Sequence, residues 1–305
     1  MHSFYVDLKN FDLVQVSGSD AVRFLQGQLT CDVQALSEGA VTFGAACNNK
    51  GRVYAAFMLM RQNDNYFFLM APGVGGTFIN NLKKFIPFYK CDMQVVNTAW
   101  SCLGICGSEI TTYLENNKNP MPAAYNSIPY EDGWLCNISA TNDIFLLCTK
   151  TRTHATLVSK LFARGTAANH DSWLLQNMLA GHFPFSIEDV DIYTPQELNY
   201  DRNGYVNFSK GCYTGQEIVA RMHYRGKAKK QLYVLQIADH DQTQLPEKIE
   251  VLDENQVVLG TTIKLLLADN QNLYLLINLP VELGATKLFT ALGQRITNQP
   301  LQQPV

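Results

Sequence analysis

The residue best placed for chemistry is Cys212, in the run SKGCYTGQEIVARMHYR. Thr214 and Glu217 have the spacing of a capping box, which predicts a helix that begins near Gly215 and runs through Ile218, Val219 and Met222. The thiol then sits just ahead of a helix N-terminus, where unpaired backbone N–H groups and the positive end of the macrodipole favour a thiolate. Lys210 and Arg221 would add positive charge if they fold toward it, so a thiol pKa below the ordinary value is expected. The competing reading is a small buried hydrophobe, the commonest role of a free cysteine, and the motif by itself leaves the two balanced.

Downstream, Arg221, His223, Arg225, Lys227, Lys229 and Lys230 form a short basic run that suits an anion such as a polyglutamate tail, a phosphate or RNA. Cations near a helix C-terminus also simply stabilise its dipole, and a lone histidine such as His223 is more often packed or solvated than catalytic. The other seven cysteines are scattered and read as reduced thiols. Cys102 and Cys106 have three residues between them rather than two, and no second pair follows, so no metal site is expected there. Glycines in GVGGTF precede a helix but fit neither GxGxxG nor the phosphate-loop pattern, which leaves a turn rather than a phosphate cradle. The hydrolase patterns GxSxG and HExxH do not occur.

The elements that must position these residues change character along the chain. LVQVSG reads as a strand, after which Ser19 is expected to cap a helix over SDAVRFLQGQLTCDV. VTFGAACNN and GRVYAAFMLMRQNDNYFFLMAP follow, the second a hairpin turning at QNDN, and then a glycine turn opens an amphipathic helix in GVGGTFINNLKKFIPFYK. Residues 92–170 alternate strand and helix signals again, with NNKNPMPAAYNS as an exposed connection. From Gln231 onward short apolar, β-branched runs alternate with polar turns, an all-β unit of small-barrel kind.

A chain of 305 residues is too long for one small core, and 47% hydrophobic with 17% charged residues supports a substantial one. A net charge of −3 from 24 basic and 27 acidic residues argues against a globally basic nucleic-acid binder. The N-terminal MHSFYVDLKNFDL lacks the basic and apolar regions of a secretory signal, and no run is apolar long enough for a membrane helix, so a cytoplasmic protein is expected.

The octapeptide KGCYTGQE, residues 210–217, resembles the KGCYxGQE signature of the YgfZ family, folate-binding relatives of the glycine cleavage T-protein. FLQGQLTCDV, NNKGRV, FPF around Pro184 and TPQELN around Pro195 resemble family segments in the same order, so the resemblance spans essentially the whole chain. It implies an α+β fold in which T-protein-like, ferredoxin-like halves and a small C-terminal β-barrel surround a central cleft. The boundaries expected are an α+β region over 1–228, in halves of about 1–95 and 96–228, and a barrel over 229–305.

The same resemblance implies a cofactor, tetrahydrofolate or a folate derivative, and a role supporting the maturation or repair of iron–sulfur enzymes, including ones that modify tRNA. Iron–sulfur enzymes or assembly proteins are then the expected partners of a monomer, without direct nucleic-acid binding. Carried over by position, Cys212 is the key thiol, making a transient contact or ligating a cluster, with Lys210, Gly211, Tyr213, Gly215, Gln216, Glu217 and Arg221 as its motif. Trp173 in DSWLLQNMLAG matches a family aromatic at the folate site, Phe11 falls where a relative can have tryptophan, and Gln196 and Asn199 in TPQELN join them as folate contacts. A flat pterin favours aromatic faces, although either ring also suits an ordinary core.

One departure weighs against the T-protein's own reaction. Where aminomethyltransferases resemble one another in an acidic pair, GRVYAAF places Tyr54, Ala55 and Ala56, which cannot accept or steer a proton on a folate nitrogen as a carboxylate does. Aminomethyl transfer therefore stands as an alternative that needs an acid or base elsewhere. An RNA-binding module built on Arg221–Lys230 is the second alternative.

Overall fold

The computed structural model describes residues 3–116, 121–140, 143–162, 165–226, 229–238, 246–267, 272–281, 283, 287–290 and 294–298. Lys227 of the basic run and residues 117–120 of the expected connection lie outside them. The remaining strands form two sheets and a closed barrel.

The first sheet is wholly antiparallel, in the spatial order Val41–Cys47, Val53–Gln62, Asn65–Met70, Asp12–Ser17, Asp92–Val95. Its central hairpin turns at Asn63 and Asp64, both at positive φ (50° and 58°), the geometry of a two-residue turn that follows the twist of its strands. Val53–Gln62 is buried along nearly its whole length, which is why its apolar run is continuous rather than alternating. Phe57 and Phe68 pack against Phe78 of the helix Val74–Leu82, which opens on Gly73 at φ 80° as the glycine turn predicted.

The second sheet runs Thr166–Ala167, Phe4–Asp7, Trp100–Cys106, Ile144–Lys150, Gly133–Asn137, Ser127–Tyr130. Its second strand is the first of the chain, so the polypeptide visits this sheet before building the other one. The barrel closes in the order Lys230–Ile237, Leu273–Pro280, Val258–Leu267, Glu250–Leu252, Leu288–Thr290, Arg295–Asn298. One continuous buried cluster joins the three parts: it reaches from Val14 and Leu59 through Trp134 and Trp173 to Leu232 and Leu276 of the barrel. No helix among the described residues is long and apolar enough to cross a membrane.

Two local expectations differ from the structure. The helix expected after LVQVSG is only Ala21–Gln26, preceded by Asp20 rather than Ser19 and without a side-chain cap bond. Asp20 instead accepts from the Lys90 backbone N–H at 2.8 Å. The helix stops because the chain beyond it is needed in another shape: the Gln26 side chain accepts from Val33 N at 2.8 Å, and residues 26–31 turn three carbonyls inward. The second difference lies at the motif, where the helix Gln216–Arg225 forms as expected but Thr214 and Glu217 make no capping box. Its first residue follows Gly215 at φ 85°, and Thr214 Oγ1 donates to Gln28 Oε1 at 3.1 Å.

Candidate functional site

The KGCYTGQE loop is fastened from below and open above. Lys210 is buried, and its Nζ donates to the carbonyls of Gln26, Leu29 and Cys31 at 2.8, 2.6 and 2.9 Å. An ammonium has three hydrogens, so its donors are fully used there and the charge is directed into the 26–31 turn. Burial pushes its pKa down to about 8, and nearby Cys31 and Asp32 push the other way. Tyr213 is buried beside it, 5.2 Å from Lys210 Nζ to the ring centroid, and desolvation raises its phenol pKa well above the ordinary value. Gly211 and Cys212 are exposed between these two anchors.

Gly215 explains why the helix can start where it does. A Cβ there would sit 2.4 Å from the Asn48 carbonyl oxygen, so only glycine allows the loop to lie on the 48–51 turn. Gly51, at φ 70°, makes the reciprocal approach to Ile218 of the helix. The NNKGRV and KGCYTGQE segments are therefore packed against each other. Gln216 is half-buried, and Glu217 and Arg221 are exposed on the helix.

TPQELN fastens this unit to the barrel. Gln196 Nε2 donates to Val219 O of the helix at 2.8 Å, and Asn199 makes a two-point contact with Leu232 of the first barrel strand, Nδ2 to O at 2.9 Å and N to Oδ1 at 3.0 Å. Glu197 accepts from Thr194 N and Arg52 Nη1 at 2.8 and 3.0 Å. Gln196 and Asn199, expected as folate contacts, thus join helix, loop and barrel, and neither is among the residues that line the cavity described next.

That cavity, of ≈ 100 Å³, lies between the first sheet and the helix His170–Leu179 with the 182–185 segment that follows it. Phe11 and Trp173 both border it, brought together from opposite ends of the α+β region. Trp173 is carried by the helix His170–Leu179, whose first turn is capped by Asn169 accepting from Ser172 N at 3.0 Å. Its indole is seated against Gly104 in the middle of a strand, where a Cβ would fall 2.4 Å from Trp173 Cε3. Phe11 is half-buried and meets His170 edge-on, with ring centroids 4.7 Å apart. Ala56, Met58 and Met70 of the first sheet, with Phe183 and Phe185, make the remaining walls largely apolar.

The sequence reading did not single out His182, Phe43 or Tyr205. His182 is 4% exposed and lies flat on Phe43, with centroids 3.7 Å apart and 15° between the rings. Its Nε2 is 3.0 Å from the Ile138 carbonyl oxygen, and its Nδ1 is buried without a partner among the described residues. Desolvation lowers its pKa to about 4. Tyr205 is linked to the motif: Thr30 Oγ1 donates to the Tyr205 carbonyl at 2.6 Å, from the same turn that holds Lys210. Cys212 does not border the cavity, so aromatic cavity and exposed thiol are two separate features joined by the 26–31 turn. The signal for His182 was its place in GHFPF, a lone polar ring inside an apolar run nine residues after Trp173.

At the other end of the motif helix, Arg221, His223, Arg225, Lys229 and Lys230 are exposed. His223 stacks on Phe208 at 3.7 Å and stands 4.0 Å from Asp201, so it is packed on the helix surface rather than free. Tyr224 beside it is 69% exposed.

Sheets, barrel and cavity define a class of protein first. Residues 2–143 match the family model of the GCVT N-terminal domain. The chain also shares its fold with the glycine cleavage system aminomethyltransferase T from Bartonella henselae, at a TM-score of 0.78 and 15% identity over 98% of this chain and 86% of that one. Among curated relatives, the tRNA-modifying protein YgfZ of Yersinia enterocolitica is 33% identical over 234 residues, 75% of this chain and 70% of that protein. Its counterpart in Serratia proteamaculans is 30% identical over 261 residues, 85% and 78% of the two chains. The chain belongs to the YgfZ family.

Proposed function

We propose that the protein is a tetrahydrofolate-binding accessory protein, monomeric and cytoplasmic, that supports the maturation or repair of iron–sulfur enzymes, with Cys212 as its working thiol. The observation that carries this reading is the meeting of Phe11 and Trp173 in the wall of one apolar cavity. Flat aromatic walls suit a flat heterocycle. A space of ≈ 100 Å³ holds on the order of three waters at liquid density, the scale of one edge of a flat ring rather than of a whole folate. Phe11 and Trp173 would hold that ring and keep water from it. When bound, tetrahydrofolate supplies ring nitrogens able to take up a one-carbon unit.

The thiol half of the reading rests on Cys212, exposed on a loop whose neighbours are buried anchors, an arrangement suited to contact with a second protein. The Yersinia and Serratia relatives are described as tRNA-modifying proteins, which favours tRNA-modifying enzymes among the clients. Aminomethyl transfer is disfavoured by the same cavity. Among the described residues its lining contains no Asp, Glu, Lys or Arg, and Ala56 presents a methyl group there, so no carboxylate is at hand to accept or steer a proton on the ring.

Calorimetric titration with tetrahydrofolate tests the reading on the wild type, Trp173→Ala and Cys212→Ala proteins, each first checked for native circular dichroism. Saturable binding, weakened about tenfold or more by Trp173→Ala and spared by Cys212→Ala, is expected. Absence of binding in the wild type would remove the folate half. For the thiol half, the wild type but not Cys212→Ala should restore tRNA methylthiolation in a bacterium deprived of its own YgfZ-family protein.

A further inference from the structure

The strands of the first sheet that wall the aromatic cavity run on to the hairpin at Asn63 and Asp64. There a second cleft, of ≈ 460 Å³, lies between them and the second sheet. That is the scale of a site for a small organic molecule, roughly 300–1,000 Å³. Trp100 and Lys150 pair across neighbouring strands of the second sheet, and Trp134 pairs with Cys148, two residues before Lys150. Alternation along a strand therefore puts Trp100, Trp134 and Lys150 on one face. The two indoles stack with centroids 4.4 Å apart and 20° between the rings, and Phe67 of the first sheet meets both. Lys150 Nζ lies over the other ring contact surface of Trp100, 3.6 Å from its centroid. All four side chains line the cleft.

The carboxylates of the cleft already have cations. Glu131 pairs with Lys160 and Asp132 with Arg152, each at 3.2 Å. The Lys150 ammonium has no carboxylate or hydrogen-bond partner among the described residues, so its charge is unmatched. On the opposite wall, Gln15 and Gln62 use their amide nitrogens on Asn65 Oδ1 and Ser127 Oγ. Their carbonyl oxygens have no partner among the described residues, and neither is sealed from water.

We propose that this cleft binds a nucleotide, its base on the face of Trp100 that Lys150 now covers and its phosphate drawing the Lys150 ammonium off the ring. An ammonium resting on an indole is held less firmly than one bonded to a phosphate, so the exchange is favourable. A base gains from an aromatic face whatever its sequence identity. Its amino group and the ribose hydroxyls supply the donors that the two glutamine oxygens lack. The proposal is independent of the folate reading, which concerns the smaller cavity.

The experiment titrates the full-length protein with guanosine monophosphate, with guanosine and with inorganic phosphate by calorimetry. In parallel, NMR follows the indole N–H groups of the three tryptophans, with Trp173 of the other cavity as the internal control. Saturable binding of the monophosphate is expected, with the Trp100 resonance displaced and that of Trp173 in place. Lys150→Met should weaken the monophosphate about tenfold and leave guanosine unaffected. Absence of binding, or displacement at Trp173 rather than Trp100, would overturn the proposal. So would phosphate binding as tightly as the nucleotide, which would make the cleft an anion site without a base. Tetrahydrofolate moving Trp100 where the nucleotide does not would overturn it too, and would assign the cleft to folate.

Discussion

Cys212 differs from every other cysteine of the chain in its surroundings. Cys31, Cys47, Cys102, Cys106, Cys136 and Cys148 are buried and Cys91 is half-buried, whereas Cys212 is exposed. Burial pushes the Cys31 and Cys47 thiols up to about 12, which removes them from reaction at neutral pH. Brief alkylation of the native protein with iodoacetamide should therefore modify one site before any other, and peptide mass mapping should place it at Cys212. In Cys212→Ser the fast modification should vanish, with a change in stability within about 0.5 kcal/mol, as for a surface substitution without partners. Fast labelling of a buried cysteine would show that the loop is not arranged as described. The motif made this residue conspicuous in the sequence. Its exposure was not legible there, because it depends on Tyr213 being buried and on Lys210 turning inward, toward carbonyls more than 170 residues away in the chain.

Elements were legible where one local pattern decides them and illegible where a distant backbone does. The hairpin at Asn63 and Asp64, the helix after Gly73 and the alternation of the barrel strands follow from turn chemistry and apolar spacing within each segment. The helix after Asp20 was overestimated in length because its continuation is spent on the Lys210 pocket, and the capping box at Thr214 gave way to a glycine start imposed by Asn48. The joints that Gln196 and Asn199 make were not legible, because long-range side-chain to backbone bonds have no sequence signature. Gly104 shows how strongly an element can be shaped by a partner, and it carries a test. In a strand interior Ala is ordinarily better than Gly by about 0.5–1 kcal/mol. Here the added Cβ would lie 2.4 Å from Trp173 Cε3, well inside contact distance, and overpacking of that kind costs about 1–3 kcal/mol. The steric effect wins, so Gly104→Ala should lower the urea midpoint rather than raise it, and by displacing the indole it should weaken tetrahydrofolate binding as well. A raised midpoint would mean that Trp173 is not seated on this strand.

On the scale of the whole molecule, the interface between sheets, loop and barrel is where ionisable groups are driven out of water, and this makes global stability depend on pH in two windows. His182 has an ordinary pKa of 6.5 and a folded value of about 4, caused by desolvation. As pH falls from 6.5 toward 4 the unfolded chain takes up a proton that the folded protein refuses. The unfolded state then binds more protons, so unfolding becomes easier on acidification. The gap is worth about 3 kcal/mol, present above pH 6.5 and lost as pH falls to about 4. At the alkaline end the sign reverses. Cys31 and Cys47 hold their protons above the ordinary thiol value of 9, and Tyr200, Tyr205 and Tyr213 hold theirs well above the ordinary 10, so from pH 9 upward the unfolded chain sheds protons that the fold retains, and stability falls again. Thermal unfolding across pH should accordingly show a plateau with a fall on each side. His182→Phe, whatever its starting stability, should flatten the acid arm and leave the alkaline arm unchanged, because the thiols and phenols do not share its titration. An acid arm of undiminished slope in that variant would assign the loss to other groups and would place His182 in a site open enough to be protonated in the fold, which is incompatible with the dry cavity on which the ring-binding reading depends.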